Sequence, residues 1–156
     1  MRASKLVDIE DRFTRGFLAG LTAGLAMNIF SLISLTLGWV EITFLDWAGV
    51  FIFGRQPAGV PENAVALGGQ LFFAAMNGVF FAYLLPALNS RSYFLKGLIF
   101  GLLIWLFSYA IAILFRVPFL TRLDLGTVTS NITGALIYGI VLALFLDWLE
   151  KRVKAP

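Results

Sequence analysis

The chain has 156 residues, 60% of them hydrophobic and 13% charged, with a net charge of +3 and neither Cys nor His. This composition excludes disulfides, thiol nucleophiles, thiolate metal sites and His ligation of haem, and it removes the commonest general base at neutral pH. The basic residues sit beside apolar segments and form no long block, so no nucleic-acid partner is expected.

Four apolar stretches occupy residues 14–38, 64–87, 94–115 and 127–149. Each reaches the roughly 20 residues a helix needs to cross a bilayer core of about 30 Å. The expected fold is an all-α integral membrane protein, a four-transmembrane-helix bundle forming one membrane domain over residues 1–156. The first stretch follows Asp8, Glu10 and Asp11 and is longer than a signal-peptide apolar region, so it reads as a retained span.

In chain order, the first span carries Gly16, Gly20 and Gly24 at four-residue spacing, and Asn28 continues that stripe. The connection from Trp39 to Asn63 contains the apolar run Phe44–Phe53, too short to span and too apolar for a solvated loop. A short external helix lying in the membrane interface is the favoured reading, with a re-entrant segment as the alternative. Gly54, Pro57, Gly59 and Pro61 predict an irregular return to the second span.

The second span presents Gln70, Ala74, Gly78 and Ala82 on one face. The third carries Gly97 and Gly101, and the fourth presents Asn131, Ala135, Gly139 and Ala143. Spans two and four therefore share the order amide, Ala, Gly, Ala, and Arg15–Leu21 aligns with Lys96–Leu102. The pattern predicts two helical hairpins related as parallel repeats. Lipid tails are as apolar as Leu, so burial gives little drive to associate in a bilayer; small side chains instead let backbones approach and gain van der Waals contact. These faces meet either within one chain or between copies.

Nine of the twelve Lys and Arg residues lie in the two tails and the second connection. The positive-inside rule then places both termini in the cytoplasm, with the protein in the inner (cytoplasmic) membrane. Trp148 fits the cytoplasmic interface, and Trp39 and Trp47 the opposite one.

No Asp, Glu, Lys or Arg falls mid-span, which argues against a proton-coupled pump. The candidate polar interior consists of Asn28, Gln70, Asn77 and Asn131. Asn28, Gln70 and Asn131 share the small-residue faces and are expected to converge. They serve either as interhelical hydrogen bonds or as the lining of a neutral path. Glu41, Asp46, Arg55, Glu62, Arg116, Arg122 and Asp124 are expected at the outer surface as scattered interfacial charges, with ion pairs that fasten the 44–53 segment, or a small polar binding site, as the alternatives. Their spacing gives no metal motif. Phe72, Phe73, Phe80 and Phe81 read as lipid-facing.

Gly16-Phe17-Leu18-Ala19-Gly20, Gly78 within Met76–Leu85, the run Lys96–Trp105 and Ile137–Leu142 together resemble small bacterial four-span membrane proteins of unknown function. The resemblance implies a fold and a membrane address. Those relatives often carry a His shortly before the Tyr-Gly of the last span. Here that stretch is Thr133-Gly134-Ala135-Leu136, so a His-dependent role does not transfer.

The favoured function is a non-enzymatic multi-pass membrane protein that works through association with lipid, with itself as a homo-oligomer, or with a larger membrane complex. The alternative is a small channel or carrier for a neutral or weakly polar solute. No Ser-His, Cys-His or paired intramembrane carboxylates appear, and no catalytic residue, metal or cofactor is expected.

Overall fold

Local capping decides where each helix begins and ends. In the computed structural model, which describes residues 8–88 and 92–154, Asp11 accepts a hydrogen bond from the Thr14 amide at 2.9 Å and starts α1 (Arg12–Thr36). Gly38 adopts φ +71°, and the Trp39 amide reaches back to the Ser34 carbonyl at 2.9 Å, closing α1 with a left-handed turn. Thr43 and Asp46 form a reciprocal capping box for α2 (Phe44–Phe53), which ends at Gly54 with φ +70°. The longer helices that follow are α3 (Gly59–Leu84), continued by a 3₁₀ turn at Leu85–Ala87, then α4 (Tyr93–Leu114) and α5 (Leu125–Lys154). Among the described residues there is no strand. α1, α3 with its 3₁₀ turn, α4 and most of α5 are long and apolar enough to cross a membrane. Arg2, Lys5 and Arg91, which enter the charge asymmetry, lie outside the described residues.

Two boundaries differ from the sequence expectation. α3 starts at Gly59, five residues before the expected span, so the irregular return is short. Pro61 falls in the first turn, where a missing N–H costs nothing. The Glu62 carboxylate accepts from the Ala58 amide at 2.8 Å and pairs with Arg55 at 2.6 Å, joining the end of α2 to the start of α3. α5 runs past residue 149 because its last turns are solvated helix, with Lys151 paired to Asp147. Of the outer charges, Arg55 and Glu62 form an ion pair, whereas Asp46 and Asp124 cap helices. Bonds from Thr127 hold the Asp124 carboxyl below the usual carboxylate range.

The small-residue faces meet within the chain. Gly16, Gly20 and Gly24 of α1 lie against Ala74, Gly78, Val79 and Ala82 of α3. A Cβ added to Gly16 would fall 2.7 Å from the Val79 Cα, and one on Gly24 would fall 2.7 Å from the Ala74 Cβ. In the second crossing, Gly97 and Gly101 of α4 lie against Ala135, Gly139 and Ala143 of α5; a Cβ on Gly97 would fall 2.6 Å from the Ala143 Cβ. Such approaches put backbone against backbone and leave no room for a side chain.

α1 packs on α5 as well. Ala19, Ala23 and Met27 are buried on one helical face, and Met27 reaches Gly134. α4 meets α3 through Phe100, whose ring lies 4.9 Å from that of Phe81 and 6.1 Å from that of Phe80. Phe81 is fully buried and so departs from the lipid-facing expectation; Phe72, Phe73 and Phe80 remain exposed.

Gly20→Leu or Gly101→Leu should therefore destabilise the fold by about 3 kcal/mol or more, the upper range of overpacking costs. Gly68→Ala, where an added Cβ would meet no neighbouring element within 4 Å, should be neutral or stabilising by up to about 1 kcal/mol. Denaturant unfolding in detergent micelles, followed by far-UV circular dichroism, measures both.

Candidate functional site: a crevice between α3 and α4

Where α1 and α5 close on each other, α3 and α4 stand apart. The space between them is a crevice of about 410 Å³. Its floor is Met27 of α1, Ala74 of α3, and Ala135 and Tyr138 of α5. One wall is Gly69, Gln70, Phe73 and Asn77 of α3; the other is Ile104, Trp105, Ser108, Tyr109 and Ile111 of α4. α2 supplies the roof through Phe44, Trp47, Ala48, Phe51 and Ile52. Phe51, Ile52, Phe73 and Ile111 are exposed and rim the mouth, whereas Ala74, Ala135 and Tyr138 are buried at the base.

The roof is held by local chemistry. The Glu41 amide donates to the Thr127 hydroxyl at 3.0 Å, tying the start of the α2 segment to α5. Trp47 and Val50 bury against Ala112 and Leu120. The Trp47 ring stacks on Tyr109 at 4.8 Å, and Trp105 lies on Tyr109 at 4.9 Å, so three aromatic rings line one corner. Gly69 leaves space for Ile52, since a Cβ there would fall 2.7 Å from the Ile52 Cδ1.

The floor is tied across the molecule. The Tyr138 hydroxyl donates to the Ala74 carbonyl at 2.7 Å, a buried bond between α5 and α3. This uses the phenol proton, so Tyr138 offers the crevice mainly its ring.

The four sequence-singled amides divide. Asn28 donates to the Gln70 side-chain oxygen at 2.6 Å and to the Gly24 carbonyl at 2.8 Å. Asn131 does not join them: it is fully buried and donates to the Tyr109 hydroxyl at 3.0 Å. Asn77 lines the crevice but spends its amide on the Phe73 carbonyl of its own helix, at 2.9 Å. The expected convergence of Asn28, Gln70 and Asn131 is thus replaced by one polar pair per helix pair, α1–α3 and α4–α5. The reason is geometric. Each amide rides the stripe that forms its own crossing, so it faces the partner in that crossing.

Sequence reasoning placed Trp47 at the outer interface and made none of Tyr109, Trp47, Trp105 and Tyr138 a site residue. One signal for Tyr109 was present: the offset that carries Gly16 onto Gly97 and Gly20 onto Gly101 also carries Asn28 onto Tyr109. Gln70 likewise corresponds to Asn131, so the two polar pairs occupy matching positions.

No charged side chain lines the crevice, and among the described residues no group of His, Cys, Asp or Glu is placed to hold a metal ion. A family model described as a family of unknown function, DUF6789, matches residues 11–156. The chain belongs to DUF6789. The matched region takes in every helix of the structure, so the crevice lies within this DUF6789 unit. No curated protein and no solved structure matches the chain.

In this DUF6789 chain the Asn28–Gln70 bond should behave as an interhelical fastener. A double-mutant cycle with Asn28→Leu and Gln70→Leu should give a coupling of about 0.6 kcal/mol, and no more than about 1.7 kcal/mol, by denaturant unfolding in micelles.

Proposed function

We propose that this DUF6789 chain is a non-enzymatic multi-pass membrane protein whose working part is the crevice, and that the crevice lodges an apolar molecule of the lipid class. The observation that carries this reading is the wall itself. Almost the whole lining is hydrocarbon, its volume falls within the roughly 300–1,000 Å³ of small-molecule sites, and its rim is exposed Phe and Ile. On a helix that crosses a bilayer, such a rim faces acyl chains. Water is a poor occupant, because a buried water needs about two to four polar partners.

The finer architecture belongs to the same reading. α1 with α3, and α4 with α5, are two parallel repeats in one membrane domain, and α2 is an insertion into the first, on the external side. Both termini lie in the cytoplasm, and the membrane is the inner one. Under a two-fold relation between repeats, the α1–α5 contact has the α3–α4 boundary as its counterpart. The first is closed and the second is open. The difference traces to side chains: where α1 carries Ala19 and Ala23, α4 carries Phe100 and Ile104 at the corresponding positions. Small residues admit α5, and large ones hold α3 off.

Association between copies or with a larger complex draws less support, since the glycine faces are used within the chain. A channel or carrier for a neutral or weakly polar solute also draws less, because the Asn28 and Asn131 amides are held in interhelical bonds.

Native mass spectrometry of the protein released from mild detergent tests the reading. Wild type should retain a lipid-class adduct, and Ala48→Phe/Ser108→Phe, which fills the crevice, should lose it with helical content unchanged. Equal adducts on both would overturn the proposal.

A further inference from the structure

Gln70 is the one crevice residue whose side-chain amide is both deeply buried and half used. It is 6% exposed. Its orientation follows from its neighbour. Asn28 donates to the Gly24 carbonyl, which can only accept, so the nitrogen end of Asn28 faces that way. The same nitrogen lies 2.6 Å from Gln70, so Gln70 must offer its oxygen there. The Gln70 NH₂ is left on the other side, open to the crevice that Gln70 lines, where the Trp47 and Trp105 indole N–H groups are likewise buried without an acceptor among the described residues. An unmet amide donor in a hydrocarbon-lined pocket is costly, and a ligand acceptor removes that cost.

From this we infer that the crevice selects a flat, neutral, lipid-soluble ring bearing a carbonyl, the quinone type, with Gln70 donating to the carbonyl oxygen. The inference rests on the crevice reading above and adds the chemistry of the guest. Three features specify it. The lining carries no charge, so an ionic headgroup has no counterpart. Trp47, Tyr109 and Trp105 pack on one another as an aromatic corner of the lining, which suits a planar conjugated guest better than a saturated chain. Gln70 supplies a directional donor on the opposite wall.

The test uses the two indoles of the crevice as reporters. Trp39 and Trp148 are exposed, and Trp39→Phe/Trp148→Phe leaves Trp47 and Trp105 as the emitters. In phosphatidylcholine vesicles this protein is titrated with decyl-substituted benzoquinone, with decylbenzene as a competitor lacking carbonyls. Saturable quenching is expected, with decylbenzene displacing the quinone only at a concentration at least about tenfold higher. Gln70→Leu should weaken quinone binding about tenfold, the effect of one well-placed hydrogen bond. Saturable quenching that is equally tight in Gln70→Leu would overturn the carbonyl assignment and leave the crevice reading standing. Quenching that never saturates, and that the crevice-filling Ala48→Phe/Ser108→Phe leaves unchanged, would overturn both. Should Gln70→Leu lose its helical circular dichroism, the wild-type complex decides: the infrared carbonyl band of the bound quinone should shift to lower frequency, and an unshifted band would overturn the inference.

Discussion

The structure depends on backbone-to-backbone contact at two helix crossings. Gly16, Gly20 and Gly78 interlock in the first, and Gly97, Gly101 and Gly139 in the second. In hydrocarbon the usual driving force for burying apolar side chains is nearly absent, so dispersion between closely approaching helices must supply most of the association. Dispersion falls steeply with distance. A gap of about 0.5–1 Å already forfeits a quarter to a half of it. Glycine and alanine therefore act here through size: they set the interaxial distance, and that distance sets the energy. The buried polar pairs Asn28–Gln70 and Asn131–Tyr109 add direction to these crossings, because each bond forms in one register only.

Once two tight pairs exist, their mutual arrangement is decided by the next face along. α1 offers Ala19, Ala23 and Met27 and is enclosed by α3 and α5. α4 offers Phe100, Ile104 and Ser108 at the positions that correspond, and it stays peripheral. Only 22% of its most apolar window is buried, against 44% for α1 and α5. The Phe100 contact with Phe80 and Phe81 closes one end of the α3–α4 boundary. Beyond it the helices are held apart, and α2 covers the gap. The crevice is thus a product of larger side chains on α4 than on the buried side of α1.

This explains which parts were legible in the sequence. The spans and stripes follow from hydropathy and four-residue spacing, and both are properties of a single helix. α2 announced itself as an apolar run too short to cross. Helix ends were less legible, because they rest on caps: the Thr43–Asp46 box, Gly59 with Pro61, and the Asp124 cap of α5. The crevice was least legible. Its walls are Phe, Ile, Trp and Ala, residues that look the same whether they face lipid, core or cavity. Phe81 and Phe80 are adjacent, yet one is fully buried and the other exposed. Asn131 misled for a related reason: its partner is a tyrosine, and a search among amides passes over it.

The roof bears on whether the crevice is a standing feature or a gap between loose helices. α2 is fastened at its start through Glu41 and Thr127, at its end through Arg55 and Glu62, and along its length by Trp47 and Val50. The floor is fastened by the Tyr138–Ala74 bond. Collapse would require α4 to move toward α3 against Phe100 and Ile104, and would break the Trp47–Tyr109 stack. An unfilled space of this kind forfeits dispersion on every lining atom, and water cannot restore it without polar partners. A hydrocarbon guest can. In a bilayer such guests surround the mouth, and on the reading proposed above their occupation is what would stabilise the open boundary.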